Sequence, residues 1–268
     1  MGRCTTVTSR RYFRVEGFVN MAYEHFYKYY DLLMNDVNYE DWIQIVNQYF
    51  NTDDSLLEVG CGTGTILIQL LEKGFSIDGL DISEEMLTIA KEKISQKKVS
   101  SNLFLGDMRE LESEKKANYD GVICFLDSIN YLETKVDVEN TFKGIYHILK
   151  PDGIFIFDIH SIHKLLTKMD GYSYNETFNS FTYLWNTFVE VFNDHSILYH
   201  ELSFFIKKAK NVYVRLDEAH KQTVFNEAFY ASILEKYGFK IINILYDFNN
   251  SIDKEKCDRI LFVSKKCL

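Results

Sequence analysis

The chain of 268 residues is 46% apolar and 26% charged, a balance that supports one sizeable globular core with room for an inserted subdomain. Its formal net charge of −9 speaks against a general nucleic-acid binder, which needs a basic footprint, although a local basic patch leaves RNA open. No apolar run approaches a membrane span, and five cysteines (Cys4, Cys61, Cys124, Cys257, Cys267) without C-x-x-C or zinc spacing suit a reducing cytoplasm.

Residues 1–20 differ in character from the rest of the chain. Arg3, Arg10, Arg11 and Arg14 stand among Thr and Ser, with no acid before Glu16 and no hydrophobic core of a secretory signal. A patterned segment starts at Met21, so residues 1–20 read as a peripheral extension, with an amphipathic targeting sequence as the alternative. Two helices are expected over 21–50, broken at Asn35-Asp36-Val37-Asn38. The first is dense in Tyr23, Phe26, Tyr27, Tyr29 and Tyr30. These rings form either a face packed on the core or a surface that attracts a cationic ligand.

Leu56-Leu57-Glu58-Val59 is an apolar run, Gly60-Cys61-Gly62-Thr63-Gly64 a tight turn, and residues 65–71 an apolar helix. Strand, glycine turn and helix open a nucleotide-binding βαβ unit. The glycines fall as G-x-G-x-G, with Thr65 where a dinucleotide fingerprint places its late glycine. Residues 75–81 form the second strand and end on Asp81, positioned to accept ribose hydroxyls; Ser83 then caps a helix. Residues 102–108 and 119–126 are the third and fourth strands, and the latter leads into Asp127-Ser128-Ile129-Asn130-Tyr131. A helix over 136–149 stops at Lys150-Pro151-Asp152-Gly153, the only proline of the chain, before a fifth strand over 154–158 and His160. Successive strand–helix units argue a parallel, doubly wound sheet. A helix over 226–237 and strands over 239–246 and 259–264 close it.

The stretch Glu58-x-Gly60-x-Gly62-x-Gly64 resembles motif I of the class I S-adenosylmethionine (SAM) methyltransferases. That resemblance implies a seven-stranded Rossmann-like sheet with its last strand antiparallel, and SAM as cofactor. It further implies that the loop, Cys61 included, passes under the methionine and ribose portions, with Glu58 near the amino group. Asp81 takes the ribose, with Ile82 beside it. Met86 matches the family's D-x-S-x-x-M-L and lies against the adenine, unless it is only a core methionine. In the same pattern Asp107 would accept the adenine amino group, unless it is a simple turn former, with the Met108 N–H reaching a ring nitrogen and Phe125 completing the set. Phe26, Tyr30, Asp31, Met34, Tyr39 and Trp42 resemble the cap of bacterial methyltransferases of the YqeM-like group, in which Tyr30 would help close the pocket.

The stretch after the fourth strand resembles the corresponding segment of glycine/sarcosine and amino-sugar N-methyltransferases. It lacks the N/D-P-P-Y/F signature, and no metal-ligand set accompanies it. A small-molecule acceptor, methylated on an amine nitrogen, is the expectation. Alternatives are an NAD-dependent oxidoreductase and a SAM-binding regulator without catalysis.

Over about 172–225 the period changes to two, as in Phe181, Tyr183 and Trp185, and predicts a three-stranded antiparallel lid with strands near 181–186, 197–206 and 212–225 and a lysine-rich turn between the last two. In its last strand Val212, Val214, Leu216, Glu218 and His220 share a face. An acid and an imidazole there are either a structural pair or functional groups. Tyr213-x-Arg215-x-Asp217-Glu218-x-His220 resembles a motif of the YqeM-like group, with Thr223 where that group carries arginine. The candidate catalytic residues are His220, Glu218 and Asp127, with His160 a further pocket candidate. The expected organisation is an extension (1–20), a SAM-binding α/β core with helical cap (21–159), an inserted β lid (160–225) and the closing elements (226–268). No motif fixes an oligomeric state.

Overall fold

The computed structural model describes residues 27–111, 118–249 and 252–267, so the extension over 1–20, Tyr23 and Phe26 lie outside the described residues. Helices α1 (Tyr27–Leu33) and α2 (Glu40–Tyr49) precede strand β1 (Ser55–Val59). Then come α3 (Thr65–Glu72), β2 (Ser76–Asp81), α4 (Glu84–Lys97), β3 (Leu103–Leu105), β4 (Tyr119–Cys124), α5 (Lys135–Ile148) and β5 (Leu149–His160). A short helix α6 (Ile162–Lys164) runs into a π turn over Leu165–Met169. The inserted strands are β6 (Ser173–Thr177), β7 (Phe181–Val191), β8 (His195–Ala209) and β9 (Val212–Phe225), and α7 (Glu227–Lys236), β10 (Phe239–Tyr246) and β11 (Arg259–Lys266) end the chain.

The main sheet runs β10-β11-β5-β4-β1-β2-β3. β1 to β5 pair in parallel, and β11 lies antiparallel between β5 and β10, as expected. Both faces are covered, because alternate residues of each strand feed different cores. Leu57, Val122, Phe155, Phe157 and Phe262 pack with Phe142 of α5 and Tyr230 of α7. Leu56, Ile123, Ile156, Leu261 and Val263 pack with Trp42 and Ile43 of α2 and Leu67 of α3. A strand buried on both sides reads as a continuous apolar run, which is why β1, β4 and β5 are conspicuous in the sequence.

Three details differ from expectation. The lid sheet has four strands, ordered β6-β7-β8-β9. β6 is exposed throughout and holds its place by backbone pairing with β7, so no hydrophobic alternation betrays it. Lys207 and Lys208 belong to β8, and the turn is confined to Lys210 and Asn211, the latter at φ +60°. β5 begins at Leu149; the proline segment bulges between the Tyr119–Leu149 and Gly121–Ile154 pairs, with Asp152 at φ +64°.

Candidate active site

The glycine loop leaves β1 with Gly60, Gly62 and Gly64 at φ +73°, +53° and +73°, a region that side chains rarely adopt. A Cβ on Gly60 would stand 2.8 Å from the Ser128 side chain, whereas a Cβ on Gly62 would meet nothing within 4 Å. The loop is therefore closed at Gly60 and bare at Gly62. The Gly62 N–H donates to Asp81 Oδ2 (2.7 Å) and the Ser83 N–H to Oδ1 (2.9 Å). Burial raises the Asp81 pKa, against these two N–H groups, which lower it. Ser83 Oγ caps α4 by accepting from the Met86 N–H.

Tyr30, Tyr39, Glu58, Gly62, Leu126 and Ser128 line one pocket with the loop, including Cys61. Burial pushes the Glu58 carboxyl up to about 8, with the Leu67 N–H opposing. Its Oε2 is buried and has no hydrogen-bond partner among the described residues. The Tyr30 pKa is raised well above the ordinary value by burial and by Tyr39, Tyr131, Asp127 and Asp81 around it. Its neighbour Asp31 fastens α1 to the loop: Thr63 Oγ1 donates to Asp31 Oδ1 (2.6 Å), and Lys93 Nζ of α4 donates to Asp31 Oδ2 (3.0 Å), Thr63 Oγ1 and Thr65 Oγ1. Asp31 stands within a recognisable motif, whereas nothing in the sequence marks Lys93, an ordinary charged residue on a helix.

The remaining expected cofactor residues divide. Met108 reaches to within 3.7 Å of where a Gly60 Cβ would stand. Asp107 caps a 3₁₀ turn over Met108–Glu110 and binds the Arg109 guanidinium, which holds its pKa low. Met86 and Phe125 are buried in the core, whereas Ile82 is 61% exposed.

After β4, Leu126 and Asp127 both take φ +54°, a strained conformation for side-chain-bearing residues. Buried groups hold that turn. The Asp127 N–H donates to Asp158 Oδ1 (2.8 Å), and Arg259 bridges Asp158 Oδ2 (2.8 Å) and Asp127 Oδ1 (2.9 Å). Trp42 Nε1 also donates to Asp158 (2.6 Å). Asp127 Oδ2 faces His160 Nε2 (3.3 Å) and accepts from Gln222 Nε2 (2.6 Å). Burial lowers the His160 pKa to about 4, with Asp127 opposing. Burial alone would raise Asp127, but His160 and Arg259 outweigh it and hold the carboxyl well below its ordinary range. The Asp127 carboxylate is thus taken up by protein donors. Arg259, Asp158 and Gln222 are not apparent in the sequence, because each comes from a distant element.

Glu218 and His220 are each 5% exposed on the inner side of β9, and the His220 ring stands edge-on to Tyr131 at 6.3 Å. Burial, reinforced by His200, lowers the His220 pKa to about 3. Among the described residues no group of three His, Cys, Asp or Glu converges as a metal site requires. No helix among them is long and apolar enough to cross a membrane.

A family model for the methyltransferase domain matches residues 56–153. YqeM of Bacillus subtilis (strain 168), a protein named as a methyltransferase, is 35% identical over 247 residues, covering 92% of this chain and 98% of its own. The crystal structure of a SAM-dependent methyltransferase from Clostridium acetobutylicum ATCC 824 superposes with a TM-score of 0.75 at 27% identity, covering 90% of this chain and 97% of that one. An N,N-dimethyltransferase from Streptomyces venezuelae, named for the amino sugar dTDP-3-amino-3,4,6-trideoxy-alpha-D-glucopyranose, is 31% identical over 104 residues, 39% of this chain and 41% of its own. These likenesses decide against the nicotinamide alternative. With the glycine loop, the sheet order and full-length relatives in agreement, the chain belongs to the SAM-dependent methyltransferases, in the group that contains YqeM.

Proposed function

We propose that the chain transfers the methyl group of SAM to an amine nitrogen of a small molecule held between the lid and the loop over residues 127–131. One observation carries this reading: β9 buries Glu218 and His220 on one face and sets the His220 ring against Tyr131 of the loop after β4. The amino-sugar relative, alike over less than half its length, supports an amine acceptor. The free cysteines Cys61, Cys124, Cys257 and Cys267 suit a cytoplasmic enzyme.

SAM supplies, when bound, an electrophilic methyl on a sulfonium sulfur. Glu58 matches its ammonium, because the buried Oε2 has no described partner. Asp81, oriented by Gly62 and Ser83, matches the ribose diol; Asp107 and the Met108 N–H match the adenine edge. Tyr30 and Tyr39 line the pocket with faces suited to a cation. Displacement at a sulfonium needs chiefly alignment and exclusion of water, which α1 and the lid provide. His220 stays neutral and accepts a hydrogen bond from the acceptor N–H, but so weak a base cannot deprotonate an ammonium ion at neutral pH. The acceptor therefore enters as the free amine, and its proton leaves past Glu218 and His220 after transfer. Asp127 shapes the loop.

Incubation of a whole-cell extract with methyl-labelled SAM, followed by separation of small molecules, RNA and protein, tests the acceptor class. Enzyme-dependent label in the small-molecule fraction supports the reading; label confined to RNA or protein overturns it.

A further inference from the structure

A directed chain of hydrogen bonds crosses from the lid to the core. Trp185 Nε1 of β7 donates to His200 Nδ1 of β8 (3.1 Å), with the two rings stacked 5.7 Å apart. An indole N–H only donates, so His200 accepts at Nδ1 and carries its proton on Nε2. That Nε2 lies 3.1 Å from Gln222 Oε1, and Gln222 Nε2 donates to Asp127 Oδ2 at 2.6 Å. Position 222 thus requires one group that accepts from an imidazole and donates to a carboxylate. An amide does both. A glutamate would accept from His200 but confront Asp127, and a lysine or arginine would have nothing to offer the His200 N–H.

β9 is the outer strand of the lid sheet and pairs with β8 alone. Three cross-links join it to the segment after β4, one of them an exposed ion pair between Lys221 and Glu133 (2.7 Å) on the opposite face of the strand, and two of them made by buried side chains. Asn130 Nδ2 reaches the Thr223 carbonyl (3.3 Å), a contact indifferent to the side chain at 223, whereas the bond to Asp127 exists only through the Gln222 side chain. Glu218, His220 and Gln222 share one face of β9. At strand spacing, His220 and Glu218 lie about 7 and 13 Å back from Gln222. Where Gln222 docks on Asp127 decides where the His220 ring meets Tyr131 and where Glu218 lies behind it on the same face. The far end of the link is rigid, because Arg259 and Asp158 hold the Asp127 turn.

We propose that Gln222 is the positioning residue of the acceptor site, its amide locking β9 to the Asp127 turn and thereby setting Glu218 and His220 in place. This rests on the reading that the inner face of β9 serves the acceptor; Gln222 acts through its neighbours on the strand and is buried, 2% exposed.

The test compares the full-length chain with Gln222→Met and Gln222→Glu, using S-adenosylhomocysteine (SAH) as the probe ligand. In Gln222→Met, hydrogen exchange of peptides over 126–132 and 216–223 quickens about tenfold, the scale of one charge-assisted hydrogen bond, with other peptides unchanged. SAH affinity stays near the wild-type value, because the side-chain bonds of Gln222 go to His200 and Asp127 and to none of the residues that line the cofactor pocket. In Gln222→Glu, ¹⁵N-histidine spectra show the His200 pKa moved upward by the carboxylate now facing Nε2, a signature that a space-filling role would not produce. Wild-type protection in both variants, or protection lost evenly over the whole chain, would overturn the proposal. Absence of SAH binding by the wild-type chain would count against the cofactor site instead, and the exchange comparison on the ligand-free chain still decides the role of Gln222.

Discussion

The backbone N–H of Gly62 donates to the Asp81 carboxylate at 2.7 Å, so the glycine loop and the end of β2 form one unit. The same carboxylate matches the cofactor ribose in the proposed arrangement. Asp81→Ala is expected to weaken SAH binding by about 1.5–3 kcal/mol, the scale of hydrogen bonds to a charged group. Gly62→Val, which fills the bare side of the loop, should abolish binding while the fold remains. Calorimetric titration checks both, and unchanged affinity in the Asp81 variant would refute the placement.

Glu58 gives the free enzyme a distinctive pH dependence. Its folded pKa of about 8 lies above the ordinary 4.5, so the folded chain keeps a proton that the unfolded chain releases between those values. Stability therefore falls as pH rises through this window, by roughly 1.4 kcal/mol per unit for this group. Glu58→Gln should flatten that slope in urea unfolding. A cofactor ammonium beside Glu58 favours the carboxylate, so SAH binding near pH 7 should release a proton, visible as a buffer-dependent binding heat. The proton release would be absent if Glu58 faced away from the ligand, and the slope would be absent if its carboxyl were solvated.

Arg259 bridges two buried carboxylates and lies over the Trp42 ring at 5.0 Å. Arg259→Met leaves Asp127 and Asp158 facing each other without it. A loss of about 3–5 kcal/mol is expected, as for other buried pairs deprived of one partner. The deficit should shrink on acidification, as one carboxyl takes up a proton. Urea titrations at neutral and mildly acidic pH decide this; an equal deficit at both would show that packing, and not charge, is what Arg259 provides.

The legible parts of the molecule are those whose chemistry is local. Gly60, Gly62 and Gly64 advertise a turn with unusual dihedrals, and Asp81 and Asp107 stand at strand ends where ligands bind in α/β sheets. The strands β1, β4 and β5 show because both their faces are buried. β6 does not show, since all its residues are exposed and its place is set by pairing with β7. Arg259, Asp158 and Gln222 are hidden for another reason: each is unremarkable in its own element and acquires meaning only from groups 22 to 132 positions away. Met86 and Phe125 are buried, as a residue against the adenine and a plain core residue both would be.

His220 is expected to matter for turnover and not for the cofactor. His220→Ala should lower turnover by roughly tenfold, the scale of one lost hydrogen bond, with SAH affinity unchanged. Because burial holds its pKa near 3, the acid limb of the pH–rate profile should follow protonation of the acceptor amine and persist in the variant. A turnover loss that merely tracks a lowered melting temperature would make the Glu218–His220 pair structural.

Methyl transfer from SAM to an amine nitrogen is tested most directly by carbon-13. The wild-type enzyme and Gly62→Val are incubated with SAM labelled at its methyl carbon and a small-molecule extract, and the methyl resonances of the products are recorded. A new signal in the N-methyl range is expected with wild-type enzyme and none with Gly62→Val. A signal in the O-methyl range, or equal signals from both enzymes, would contradict the proposed reaction.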